Sequence, residues 1–317
     1  PTYYPPRKTP KECYEQIIAD LTDAEQYAPD NDNSDRTKMT KTVAQAMLAK
    51  VYAEKEVQDY DKVIAYADKV MKTTGVELED SYETLWGYDE TAKDCMKRNT
   101  KEGILEVHWT TGSGNWETWM YGRQLDNWDY YFTWAKWITP SRDIINDFDK
   151  EGDEVRKNQA IVYYACTWSN YYPASNYPFM YKLRSSYNNI YWVRLADIIL
   201  MKAEAEAYKG NLAESAKLVN QIRKRAKLKE LTSDKTGSKE SMIEAVLHER
   251  RLELAFEGER WFDLCRNNKV EQYLNGIDNR DSGRIRQVRQ FDGNSYLLPI
   301  PQTALDQNTN LEQNPGY

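Results

Sequence analysis

Apolar residues recur every three to four positions in two blocks of this chain, residues 12–71 and 192–266, and that pattern largely lapses between them. Such spacing gathers side chains into a stripe on one helix face, which must be buried against a neighbour. In the first block, 12–27 places Tyr14, Ile17, Ile18, Leu21 and Ala24 together and stops before Pro29. The polar run Asp30-Asn31-Asp32-Asn33-Ser34-Asp35 follows as a loop. Residues 42–55 and 60–71 then read as a hairpin, with Val43, Ala46, Met47, Leu48, Ala49 and Tyr52 facing Val63, Ile64, Ala67 and Val70. Ala46, Ala49, Ala53, Ala65 and Ala67 are small enough to let two helices approach closely. The second block repeats the arrangement: helix 192–208, a turn at Gly210-Asn211, helix 212–226, then one long helix 239–266 behind Ser238 as N-cap. Paired helices of this texture stack as tetratricopeptide-like hairpins. The expected fold class is therefore mainly α, a scaffold of such hairpins at 10–75 and 190–275, with a loop-rich insertion at 76–189.

Within 76–189 only short elements are predicted: a strand near 103–109 and a helix over 141–148 entered through Thr139-Pro140. Arg284–Phe291 alternates like a strand, and Asp292-Gly293 is a turn signal that pairs it with Tyr296-Leu297-Leu298, giving a small β-hairpin in the 276–317 tail. Long loops with little regular structure are functional or disordered, and 24 Tyr and 10 Trp in 317 residues argue against disorder. Trp109, Trp116, Trp119, Trp128, Trp134 and Trp137 fall within 29 residues, with Tyr121, Tyr130, Tyr131 and Phe132 among them. A sugar offers a flat C–H face and a rim of hydroxyls, so a surface that grips it needs exposed rings beside amides and carboxylates. Asn115, Glu117, Arg123, Gln124, Asp126, Asn127 and Asp129 lie among these rings. Tyr163, Tyr164, Trp168, Tyr171, Tyr172, Tyr177, Tyr181, Tyr187 and Tyr191 form a second group, in which Tyr171-Tyr172-Pro173 reads as an exposed tip. The candidate ligand-facing residues are Trp116, Trp119, Tyr121, Trp128, Tyr130, Tyr131, Trp134, Tyr171 and Tyr172.

Several chemistries are disfavoured. A net charge of −7 lacks the field of a nucleic-acid binder. No run of about 18 apolar residues occurs. Cys13, Cys95, Cys166 and Cys265 are scattered, and His108 and His248 stand apart, so no metal cluster is expected. Asp30–Asp35 imitates the start of a calcium loop but has Asp35 at the glycine position and Lys41 at the last ligand. No nucleotide-binding or serine-hydrolase motif occurs, and no cofactor is expected. Glu249, Glu253, Glu257, Glu259 and Asp263 could supply an acid and a base, yet Arg250 and Glu257 sit seven apart beside the Leu247, Leu254, Trp261 stripe, and Arg260 lies within three residues of Glu257 and Asp263. Ion pairs that orient helices account for them, and no catalytic residue is expected.

Two stretches resemble the SusD/RagB family: His248 through Leu264, reading HERRLELAFEGERWFDL, and the end, Leu298-Pro299-Ile300-Pro301 through Gln313-Asn314-Pro315-Gly316-Tyr317. Ile17-Ile18-Ala19-Asp20-Leu21, the Arg194–Glu206 helix and Ile222-Arg223-Lys224-Arg225-Ala226 add to the resemblance, while Ala304 and Asn308-Thr309-Asn310 depart from its usual pattern. The resemblance implies a non-catalytic glycan-binding lipoprotein on the outer face of a Bacteroidetes outer membrane, serving nutrient uptake and polysaccharide utilization with a SusC-type TonB-dependent transporter as partner. Family members resemble this sequence from their middle onward, so the chain is expected to lack an N-terminal part bearing the lipid anchor; Cys13, inside a helix, does not resemble the lipidated cysteine. A helical-repeat adaptor that grips a protein or peptide is the competing reading.

Overall fold

The computed structural model describes residues 3–92, 94–109, 138–167, 169, 171–185, 187–283 and 289–317. Helix α1 (Pro10–Tyr27) opens on a reciprocal cap, Thr9 accepting from the Glu12 amide while Glu12 accepts from the Thr9 amide. Helices α2 (Lys41–Ala53) and α3 (Tyr60–Met71) form the expected hairpin, capped by Thr40 and Asp59. Ala46, Ala49, Ala53 and Ala67 are buried, as the close approach requires, whereas Ala65 points to solvent.

The strand labelled β1 (Gly103–His108) pairs antiparallel with β4 (Asn189–Arg194), His108 opposite Asn189 and Gly103 opposite Arg194. Between them in sequence lie α4 (Arg142–Glu151), capped by Ser141, α5 (Glu154–Ala160), and a second two-stranded sheet of β2 (Ile161–Tyr164) and β3 (Tyr177–Met180). Helix α6 (Leu195–Tyr208) continues directly from β4 and returns through α7 (Leu212–Arg225). The α6/α7 hairpin is tight enough for the Ser215 hydroxyl to donate to the Ala203 carbonyl at 2.7 Å.

Every residue of α6 from Leu195 to Ala207 is buried, so this helix is the axis of the molecule. It packs on α2, α3, α7 and α8 (Lys239–Glu253), and Ile198, Ile199, Leu200, Val43, Ala46, Ala67 and Leu218 are all buried there. Its polar residues are each partnered: Asp197 to Arg250 and Lys50, Lys202 to Asp68, Glu204 to Arg266, Glu206 to Asn211. Tyr60 stacks on Tyr208 at 4.6 Å and locks the ends of α3 and α6 together. By contrast α1 buries no residue, and Ile17 remains 41% exposed.

Three sequence expectations are corrected. The helix expected at 239–266 breaks after Glu253 and resumes as α9 (Arg260–Arg266), because Phe256 and Gly258 adopt φ of 66° and 87°, which turns Glu257 toward Arg194. Residues 192–194 belong to β4 and not to the following helix. No hairpin runs through Asp292-Gly293 among the described residues: Asp292 accepts from the Asn294 amide and Ser295 hydroxyl, closing a 3-10 turn over Gly293–Tyr296, and Leu298 is exposed. Residues 284–288 of the expected strand lie outside the described residues.

Candidate functional site

The tryptophan-rich stretch is held at both flanks by an arginine. On one side Arg98 donates to the Trp109 carbonyl at 2.7 Å while also bonding Asp94, the Tyr187 carbonyl and Asn189. On the other, the Arg142 guanidinium donates to the Tyr171 carbonyl and lies 4.1 Å from the Tyr172 ring centroid, and its backbone amide donates to Asp281. Tyr171 donates its hydroxyl to Asp281, Tyr172 donates to the Pro140 carbonyl at 2.8 Å, and the Tyr177 and Thr139 hydroxyls share a 2.5 Å bond. Tyr171 and Tyr172 are therefore half-buried clamps on residues 139–142 and not the exposed tip expected. Among the described aromatic residues of 163–187, Tyr163 and Tyr164 are the exposed ones, each 37%. Candidates Trp116, Trp119, Tyr121, Trp128, Tyr130, Tyr131 and Trp134 lie outside the described residues.

Directly after that stretch, Ile138, Thr139 and Ser141 form one wall of a cavity of about 450 Å³. Ile144 of α4 and Met180 of β3 form another, and the turn after α8 (Leu254, Ala255, Phe256, Gly258) and the start of α9 close it. Trp261 supplies an aromatic wall, backed by Phe291 with ring centroids 6.0 Å apart. Arg250, Arg251 and Arg260 bring positive charge to the lining, Asp263 a carboxylate and Thr139 and Ser141 hydroxyls, and the rest of it is apolar. Apolar walls with a few convergent polar groups are the ordinary make-up of a small-ligand site. A further aromatic, Trp192, is 65% exposed on β4. The apolar run around it reads as the start of a helix, whereas in the structure Tyr191 and Val193 are buried and Trp192 points outward, as side chains alternate on a strand.

The carboxylates on 249–263 are consumed by ion pairs. Glu249 meets Arg156 at 2.7 Å and Arg223 at 2.9 Å; Glu253 meets Arg194 at 2.6 Å, with Arg156 and Arg225 beside it. Glu257 bonds Arg194 and Lys182, Glu259 pairs with Lys50, and Asp263 joins Arg250 to Arg266. Burial alone would raise Glu253, but Arg225, Arg194 and Arg156 outweigh it and hold the carboxyl well below its usual range. The same balance lowers Asp197 through Lys50 and Arg250, and burial pushes Lys182 down to about 8. At the surface end, the His248 hydrogen bond and Arg223 bring Glu151 down to about 2. Glu253, Asp197 and Glu151 titrate lower folded than unfolded, so their stabilisation is complete above the ordinary carboxylate range and is lost as pH falls. Unfolding free energy is expected to hold from about pH 7 to about pH 5 and then decline toward about pH 2. Urea denaturation across that series checks it; stability that rises on acidification would contradict the network.

Among the described residues no group of three or more His, Cys, Asp or Glu could hold a metal ion, and no helix is long and apolar enough to cross a membrane.

Comparison with known proteins gives one consistent answer. The family model described as SusD family matches residues 24–317. SusD-like protein P2 of Formosa agariphila is 28% identical over 354 residues, covering 98% of this chain, and this chain spans 66% of that relative's length. A SusD-like protein from Bacteroides fragilis superposes with a TM-score of 0.76 at 22% identity, over 100% of this chain and 73% of its own. A SusD-like protein described as laminarin binding gives 0.72 at 24%, over 98% and 70%. At these identities the structural likeness is one of fold.

Proposed function

The chain belongs to the SusD family, and on that premise we propose that it binds oligosaccharides or polysaccharides without cleaving them. The observation that carries this reading is the family match across 24–317. The aromatic-walled cavity, whose lining includes Ile138 at the end of the tryptophan-rich sequence, and the laminarin-binding relative of the same fold support it. The ion-paired state of Glu249, Glu253, Glu257, Glu259 and Asp263 supports the absence of acid–base catalysis. In this reading the helices at 10–75 and 190–275 are the scaffold and 76–189 is the ligand-facing insertion. Trp116, Trp119, Tyr121, Trp128, Tyr130, Tyr131 and Trp134 form the platform, with Tyr171 and Tyr172 fixing its flank. The whole protein works at the extracellular face of an outer membrane, attached by a lipid, and passes glycan to a SusC-type TonB-dependent transporter.

Isothermal titration of the chain against a panel of plant, algal and host glycans tests the binding. At least one is expected to bind with Kd on the order of 10–100 µM, about −5.5 to −7 kcal/mol. Alanine at Trp116, Trp119, Trp128 or Trp134, one at a time, should weaken that binding about tenfold at two or more positions. Silence across the panel would favour a peptide-binding adaptor.

A further inference from the structure

Arg260 stands out among the cations of the cavity. Arg250 is bonded to Asp197 and Asp263, and Arg251 to Asp143 and Asp147. Arg260 donates to the Leu247 carbonyl at 3.1 Å and lies 4.7 Å from the Tyr273 ring, but among the described residues no carboxylate oxygen comes within 4.0 Å of it. A half-buried guanidinium on a lining shared with Ile144, Met180 and Leu254 attracts an anion more strongly than one in open water, and the Asp263 carboxylate on that lining is already paired with Arg250 and Arg266. Burial and the neighbouring Arg251 push Arg260 down to about 10, the direction an incoming anion reverses. The net charge of −7 opposes the approach of acidic polymers, so a preference for one needs a local cation such as this.

We propose that this cavity holds the anionic substituent of a glycan, a uronic-acid carboxylate or a sulfate ester, against Arg260, with the sugar ring on Trp261. The inference rests on the glycan-binding reading and narrows its substrate class to acidic saccharides. Ser141 lines another wall, and its hydroxyl, which accepts from the Ile144 amide, keeps its proton to donate to a sugar oxygen. A charge-assisted pair in such surroundings favours the anionic ligand by about tenfold to a hundredfold.

The test titrates the chain with methyl glucoside, methyl glucuronide and glucose 6-sulfate, beside the glycan panel. The glucuronide or the sulfate is expected to bind at least about tenfold tighter than the glucoside, and the better of the two identifies the anion. Arg260→Gln should abolish that preference. Should R260Q fail to fold, Ile138→Glu remains: Ile138 is 43% exposed on the cavity wall, and a carboxylate there should weaken the anionic probes several-fold more than it weakens the glucoside. Equal binding of all three probes, a preference that survives R260Q, or no response to I138E overturns the inference. Binding of panel glycans without any binding of the anionic monosaccharides also overturns it and leaves the glycan reading standing. If nothing in the panel or among the probes binds, both are lost.

Discussion

Replacing Arg194 with alanine is expected to remove about 3–5 kcal/mol of stability, enough to leave much of the chain unfolded at modest urea. Arg194 is 1% exposed and bonds Glu102, Glu253 and Glu257, so its loss takes one cation from each of three buried carboxylates, leaving Glu102 with Arg225. Arg156 and Arg225 would still face Glu253, but Glu257 would keep only Lys182. Most of the effect is thus the cost of the groups left behind, not the worth of the pair. Adding Glu257→Gln should therefore recover part of the loss, a coupling that a double-mutant cycle isolates. Lys8, paired with Glu12 at the surface, is the control, and K8A should change stability by less than about 0.5 kcal/mol. An R194A protein within about 1 kcal/mol of the parent would mean that the network is hydrated.

Ile199→Ala should cost about 2–5 kcal/mol, toward the upper end of that range. Ile199 is fully buried on a helix buried on all sides, in a cluster that includes Ala46, Ala67, Ala196 and Ala203. A fully buried, close-packed core relaxes only partly around a deleted side chain, so a void remains and its lining loses contacts outright. Ile17→Ala on α1 makes the comparison, since Ile17 already keeps much of its surface in water. The urea midpoint should drop strongly for I199A with an unchanged slope, and barely move for I17A. Equal shifts would show that α6 is not the axis of the core.

Periodicity made the helices legible. The hairpins α2/α3 and α6/α7 begin and end within a few residues of where their apolar stripes do, because burial of those stripes is what holds them. It failed where tertiary contacts override local pattern. Nothing local in 254–259 announces that Phe256 takes a left-handed φ; the demand comes from Arg194 and Lys182, 63 and 75 residues away from Glu257, on which they pull. The Arg250 and Glu257 reading survived because ion pairs were predicted by type, although their partners, Asp197 and Arg194, come from other elements. The candidate site was less legible still. Its cavity is assembled from 138–141, Ile144, Met180 and the 250–263 segment, which no spacing rule brings together. Tyr171 and Tyr172 looked like a loop tip by composition, yet Asp281 and Pro140 use their hydroxyls.

Titration of the chain with each glycan that binds, followed by chromatography of the sugar recovered from the mixture, addresses the central claim most directly. The account predicts saturable binding and a saccharide whose length and amount are unchanged after prolonged incubation. Shortened products in proportion to protein would contradict it.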